Sequence, residues 1–127
     1  MKLAEVTELL DGEILEGVDA SEMIIDRAYA ADLLSDVLAL TDERTTLITG
    51  TISPQVIRVA DILNVVAIIF VRGKRPPQSV VTYAQRVGIP VMCTKMTMFE
   101  SCGLLYANGV RSCKNRPVTG AGAGCAK

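Results

Sequence analysis

Three short loops gather the side chains best suited to chemistry: Gly50-Thr51-Ile52-Ser53, Arg72-Gly73-Lys74-Arg75 and Thr94-Lys95-Met96-Thr97. They supply hydroxyls at Thr51, Ser53, Thr94 and Thr97, and cations at Arg72, Lys74, Arg75 and Lys95. Gly50 and Gly73 leave room for backbone to approach a ligand closely. Each loop precedes a segment with helical patterning, and a helix N-terminus offers free N–H groups and the positive end of the helix dipole to an anion. The combination points to binding a phosphate, a nucleotide or an acidic partner residue. The alternative reading is three capped helix starts with solvated turns.

Several bond-making chemistries are excluded by residue type. The chain has no His, which removes Ser-His-Asp and Cys-His catalysis and any His-ligated metal site. A phosphate-cradling P-loop needs GxxxxGK followed by Ser or Thr, and Gly73-Lys74 is followed by Arg75 with no upstream glycine. The GAGAG run near the C-terminus neither follows a strand nor opens a helix, so it does not read as a dinucleotide fingerprint. Asp19, Asp26, Asp32 and Asp36 offer oxygen ligands for Mg²⁺, but solvated helix and turn positions account for them. No catalytic residue and no cofactor are expected.

The four cysteines, Cys93, Cys102, Cys113 and Cys125, are spaced by 9, 11 and 12 residues. Zinc and iron–sulfur sites usually include close Cys pairs, and none is present. Cys93 ends a strand and Cys102 follows Phe99 by one helical turn, so both read as small core residues. Cys113 and Cys125 lie in polar surroundings and read as the reactive thiols. A metal or cluster held by Cys93, Cys102 and Cys113 is the alternative.

The elements that must position these loops follow from residue 45 onward. Thr45–Thr49, Val65–Val71 and Ile89–Cys93 are β-rich runs, and QVIRVADILN, QSVVTYAQRVG and TMFESCGLLYANG read as helices. Val56, Val59, Ala60 and Leu63 recur at helical spacing, as do Val80, Val81, Ala84 and Val87. Ser53 is placed to cap the first of these helices, with Pro54 at its first position, where a missing N–H costs nothing. Pro77 starts the second and Gly88 stops it. Thr97 and Glu100 have capping-box spacing, and Gly109 suits the end of the third. Strands joined by single helices run parallel with right-handed crossovers. The near-continuous apolar run Val65–Val71 suits a strand covered on both faces.

The N-terminal part is less regular. KLAEVTELL reads as a helix, Glu13–Leu15 as a short strand, and Asp19 with Glu22 as a capping box or turn. Met23–Tyr29 contains a strand, and Ala31–Leu40 is a helix or turn. These elements form an added edge and cover on the same sheet. The expectation is one α/β domain over residues 1–113, a βαβαβα core with a mainly parallel sheet, flanking helices and an N-terminal αβ layer. RSCKNRPVTGAGAGCAK lacks apolar periodicity, and residues 114–127 read as a flexible Gly/Ala-rich tail.

A length of 127 residues suits one domain that buries roughly two-thirds of its unfolded surface, so no disulfide is needed. Net charge is −1, but residues 1–43 hold 12 acidic and two basic side chains, and residues 44–127 hold two acidic and 11 basic. The N-terminal layer therefore complements the basic part, either within the subunit or across subunits. With no Trp and 4% aromatics, there are no platforms for stacking on bases, and nucleic acid is not an expected partner. The acidic N-terminus is unlike a signal peptide, and the longest apolar run is too short to cross a bilayer. A cytoplasmic protein with reduced thiols is expected.

The run LITGTISPQVIRVADILNVVAIIFVRGKRPPQSVVTYAQRVGIPVMCTKMTMFESCGLLY resembles the DRTGG domain, with GIPV and TMFESCG as its sharpest strings. DRAYAADLLSDVLA looks like the N-terminal portion of stand-alone members, so the resemblance covers about residues 12–113. It departs from the name-giving pattern: Gly50-Thr51-Ile52 stands where the family shows Gly-Asp-Arg, and Val71-Arg72-Gly73-Lys74 where it shows Thr-Gly-Gly. A ligand role of that Asp-Arg pair is therefore not carried over. The resemblance implies a non-catalytic regulatory or scaffold module, like those in HPr kinase/phosphorylase, long phosphotransacetylases and some pyrophosphatases. It implies action through homodimerisation and a partner protein, with a link to hydrogenase or energy metabolism. The alternatives are a sensor of a small anionic ligand at the three loops, and a redox or iron–sulfur-associated protein.

Overall fold

A computed structural model describes residues 1–15, 20–41, 43–73 and 75–113. Among these residues the elements are α1 (Leu3–Leu9), β1 (Gly12–Ile14), β2 (Arg27–Ala30), α2 (Leu34–Leu40), β3 (Thr46–Thr49) and α3 (Pro54–Ile62). They continue with β4 (Ala67–Phe70), α4 (Gln78–Val87), β5 (Val91–Thr94), α5 (Met98–Ala107) and β6 (Arg111–Ser112). The strands form one six-stranded sheet in the order β1-β5-β4-β3-β2-β6. Every pairing is parallel except the antiparallel pairing of β1 with β5. The fold class is the expected single α/β domain, with the N-terminal elements serving as sheet edge and cover.

Side-chain alternation along the central strands divides the core into two layers. Leu47, Ile68 and Phe70 point to one face, where Val37 of α2, Val56, Ile57 and Ala60 of α3, and Val80, Val81 and Ala84 of α4 cover them. Ile48, Ala67, Ile69 and Met92 point to the other face, beneath Leu3 and Val6 of α1 and Leu105 of α5. All four residues of β4 are buried, as a strand covered on both sides requires.

Chain direction explains the division. The path β2-β3-β4-β5 steps one way across the sheet, with right-handed crossovers that put α2, α3 and α4 on one face. After β5 the chain returns past β2 to β6, and the same handedness puts α5 on the opposite face.

Local signals act as their chemistry predicts at two helix ends. Thr97 and Glu100 form a reciprocal capping box on α5: the Glu100 N–H donates to Thr97 Oγ1 at 3.2 Å, and the Thr97 N–H donates to Glu100 Oε1 at 3.3 Å. Gly88 ends α4 with φ +77°, a conformation that costs glycine little. At α3 the outcome differs. Ser53 is the N-cap residue, yet its side chain makes no capping bond. Pro77 is the N-cap of α4 rather than its first helical residue.

At the end of the expected domain, Arg111 and Ser112 form β6, which pairs parallel with β2. Two residues are too few to show any periodicity. One expectation for this stretch is corrected: Cys113 is not an accessible reactive thiol. It is 2% exposed, and its N–H donates to the Ala28 carbonyl oxygen at 3.0 Å. Burial follows from docking against β2, which composition does not reveal. The expected tail, with Cys125, lies outside the described residues.

Candidate functional site

The three expected loops lie together at the C-terminal ends of β3, β4 and β5, joined by hydrogen bonds across strands. The Arg72 N–H donates to the Met96 carbonyl oxygen at 2.8 Å, and the Gly73 N–H donates to that of Thr94 at 2.9 Å. Thr94 Oγ1 is buried, donates to the Leu10 carbonyl oxygen and accepts from the Met96 N–H at 3.1 Å. Thr94 thus serves the turn after β5 and ties it to the end of α1. Lys74 lies outside the described residues.

The loops divide into two clusters instead of one continuous anion site. In the first, Asp32 at the end of β2 organises the turn after β3. Its Oδ1 accepts from the Gly50 N–H at 2.8 Å and from Thr49 Oγ1 at 3.4 Å, and its carbonyl oxygen accepts from Thr51 Oγ1 at 2.9 Å. Arg72, at φ +70°, folds across this turn. Its guanidinium donates to the Gly50 carbonyl oxygen at 3.2 Å and lies 3.8 Å from Asp32 Oδ2. A Cβ on Gly50 would meet the Arg72 guanidinium at 2.2 Å, so the guanidinium covers the face a ligand at Gly50 would use. Thr51 is spent on the Asp32 backbone, and Ser53 stands at the start of α3. Asp32, expected as a solvated residue, is the organising group here; its partners lie 17 to 40 positions away, and no local pattern signals them.

The second cluster lines a groove of about 350 Å³ between the ends of β4 and β5 and the edge strand β1. Asp11, Gly12, Glu13, Gly73, Arg75, Cys93, Thr94 and Lys95 form its walls. Arg75 pairs with Glu13. Lys95 is exposed and enters no ion pair among the described residues. Gly12 is a point of close approach, since a Cβ there would stand 2.5 Å from the Cys93 carbonyl oxygen. Asp11, Gly12 and Glu13 join the wall through the antiparallel pairing of β1 with β5, a partnership the sequence pattern does not disclose.

Topology gives the groove its meaning. The loop after β4 leads to α4 on one face of the sheet, and the loop after β5 leads to α5 on the other. Neighbouring connections that diverge in this way open a crevice at the carboxyl ends of the strands, the usual ligand position in open α/β sheets. Thr97 faces a different task, because Glu100 already occupies the α5 N-terminus through the capping box.

The thiols do not converge. Cys93 is on β5, Cys102 on α5, and Cys113 follows β6, with β4, β3 and β2 standing between β5 and β6. Among the described residues no three His, Cys, Asp or Glu side chains are grouped to hold a metal ion. Burial raises the Cys93 thiol pKa, Glu13 raises it further and Arg75 partly opposes them. Burial alone raises that of Cys102. Both thiols are thereby held protonated and poorly nucleophilic.

Two ion pairs, Arg72–Asp32 and Arg75–Glu13, join a base of the βα repeats to an acid of the N-terminal third. The opposed charges of the two parts therefore meet within the subunit at the loop end of the sheet. Among the described residues no helix is long and apolar enough to cross a membrane.

No family model matches the sequence, and comparison with curated proteins finds no match. Among solved structures, the chain is similar to the CBS and DRTGG domains of the regulatory region of Clostridium perfringens pyrophosphatase, complexed with the activator diadenosine tetraphosphate. The TM-score is 0.71 at 17% identity, covering 82% of this chain and 45% of that one. The fold is thus CBS/DRTGG-like, and the chain spans less than half the length of that structure.

Proposed function

We propose that this chain is a DRTGG-type regulatory module without catalytic activity of its own, acting as a homodimer that reports a small phosphate-bearing anion to a partner protein. The observation that carries the reading is the groove between the ends of β4 and β5, where Arg75 and Lys95 flank a topological switch point. Gly73 keeps the wall beside Lys95 low, and the absence of aromatic side chains from the walls favours recognition of phosphate charge over a stacked base. The likeness to a regulatory region that binds a nucleotide activator supports the same class of ligand. Exposed apolar side chains, among them Phe99, Tyr106 and Ile62, support pairing of subunits.

Isotope-labelled protein titrated with inorganic phosphate, ATP and diadenosine tetraphosphate tests the reading. Amide shifts confined to Gly73, Thr94 and Lys95, abolished by Arg75→Ala with Lys95→Ala, are expected. Saturating ligand with no shift in these amides refutes the ligand site. Phosphoryl transfer from ATP to protein or small acceptors by the purified chain refutes the non-catalytic reading.

A further inference from the structure

The groove beside β1 carries charges of both signs. Among the described residues its walls hold two acids, Asp11 and Glu13, and two bases, Arg75 and Lys95. Glu13 and Arg75 are paired with each other. Asp11 and Lys95 are exposed, and neither side chain enters an ion pair or hydrogen bond among the described residues.

Strand register makes their separation informative. β1 and β5 pair antiparallel, with Gly12 opposite Thr94 and Glu13 opposite Cys93. One step further along that register, Asp11 stands opposite Lys95. Opposite charges at directly facing positions ordinarily attract across a strand pair. Here the ladder ends instead. Asp11 takes φ +50°, the chain bends at Lys95, and the two charges stay apart on the walls of one groove.

The end of α1 points the same way. Asp11 directly follows Leu10, the C-cap of that helix. A helix C-terminus is the negative end of the dipole, where a cation is stabilised and an acid is not. The last turn of α1 supplies no basic residue. A positive charge beside Asp11 is therefore favoured twice over, and no described residue provides it.

These charges discriminate between ligands. A bare phosphate gains at Lys95 and loses part of that gain to repulsion from Asp11. A phosphate with a positive group beside it satisfies both walls. The groove, at about 350 Å³, is near the small end of ligand-site volumes, which suits a compact molecule.

We infer that the groove selects a compact phosphate that carries its own positive charge, with the phosphate beside Lys95 and the positive group beside Asp11. That charge is supplied either by a covalently attached ammonium or by a divalent cation chelated to the phosphate. The inference rests on the phosphate-site reading above and makes Asp11 its specificity-determining residue.

Titration of the isotope-labelled full chain with two pairs of probes tests it, read at the Gly12 and Lys95 amides. O-phosphoethanolamine is compared with 2-hydroxyethyl phosphate, which puts a hydroxyl in place of the ammonium at nearly the same size. Pyrophosphate is compared with and without Mg²⁺. In one pair the member with the positive charge is expected to bind about fivefold tighter, the scale of one exposed ion pair, and that pair identifies the source of the charge. Asp11→Asn keeps a residue type that tolerates a positive φ, so the fold is preserved. It is expected to abolish the preference while leaving 2-hydroxyethyl phosphate bound at least as tightly as by the wild type. Equal binding within both pairs, or a preference that survives Asp11→Asn, overturns the inference and leaves the phosphate reading standing. Saturating probes that shift neither amide nor those of Gly73 and Thr94 overturn the phosphate reading, and this inference with it.

Discussion

The Arg72 guanidinium closes over Gly50, donating from Nη2 to its carbonyl oxygen at 3.2 Å while Asp32 Oδ1 holds the Gly50 N–H from the other side. One residue of turn backbone is thus gripped at both polar groups by side chains of opposite charge. The arrangement ties the ends of β2, β3 and β4 together without a regular strand pair.

Substitution at the two crowded glycines is expected to separate flexible from rigid neighbours. Gly50→Ala drives a Cβ into the end of the Arg72 side chain, which can swing away. Gly12→Ala drives one into the Cys93 carbonyl oxygen at 2.5 Å, where backbone must move. We expect about 1 kcal/mol of destabilisation for Gly50→Ala and roughly 2–3 kcal/mol for Gly12→Ala, in the range for overpacking. Urea unfolding of the two variants measures the difference, and equal costs would contradict the account.

The helix caps give a second contrast. Thr97→Ala removes a capping box and is expected to cost about 1 kcal/mol. Ser53→Ala removes a hydroxyl that makes no capping bond, so a few tenths of a kcal/mol is the expected loss, the usual scale for surface positions. Chemical denaturation distinguishes the two values.

In the core, Phe70→Ala is expected to destabilise by about 3–5 kcal/mol, because the ring is wholly buried beneath α3 and α4. Against a total stability of roughly 5–15 kcal/mol, that leaves a marginal fold. Ile69→Val on the opposite face removes one methylene and is expected to cost about 0.5–1.5 kcal/mol. Thermal unfolding by circular dichroism provides the test.

Alkaline pH is expected to weaken the fold through the thiols. Cys93 and Cys102 keep their protons in the folded chain to higher pH than in the unfolded chain. The stability they contribute is complete below the ordinary thiol pKa of 9.0 and is lost as pH rises from there through the raised folded values. Tyr29, raised by burial and then by Asp36 and Cys113, acts in the same direction above its ordinary 10.0. Unfolding free energy measured from pH 7 to pH 11 is expected to fall, and less steeply in Cys93→Ala.

The repeating part of the fold was legible because its signals are local. Runs such as Val65–Val71, the Thr97–Glu100 spacing and Gly88 each act over a few residues. The structure trims Val65–Val71 to Ala67–Phe70 and shifts Ile89–Cys93 to Val91–Thr94. What escaped reading depends on distant partners. Asp32 looked like any exposed acid until β3 and β4 brought Gly50 and Arg72 to it. β6 has too few residues to carry a pattern, and Cys113 looked accessible until β2 covered it. The three loops were legible as turns at strand ends, but their division in two was not, since it depends on which cations the N-terminal acids engage.

Those acids have a thermodynamic consequence. Glu13 is an anion tethered beside Arg75, and any free phosphate that takes that guanidinium must first win it from a competitor that never diffuses away. On the proposed reading, the pair weakens the binding of every anion that uses Arg75 by one constant factor, which is small because both side chains are exposed. Glu13→Gln is the substitution that would remove that factor.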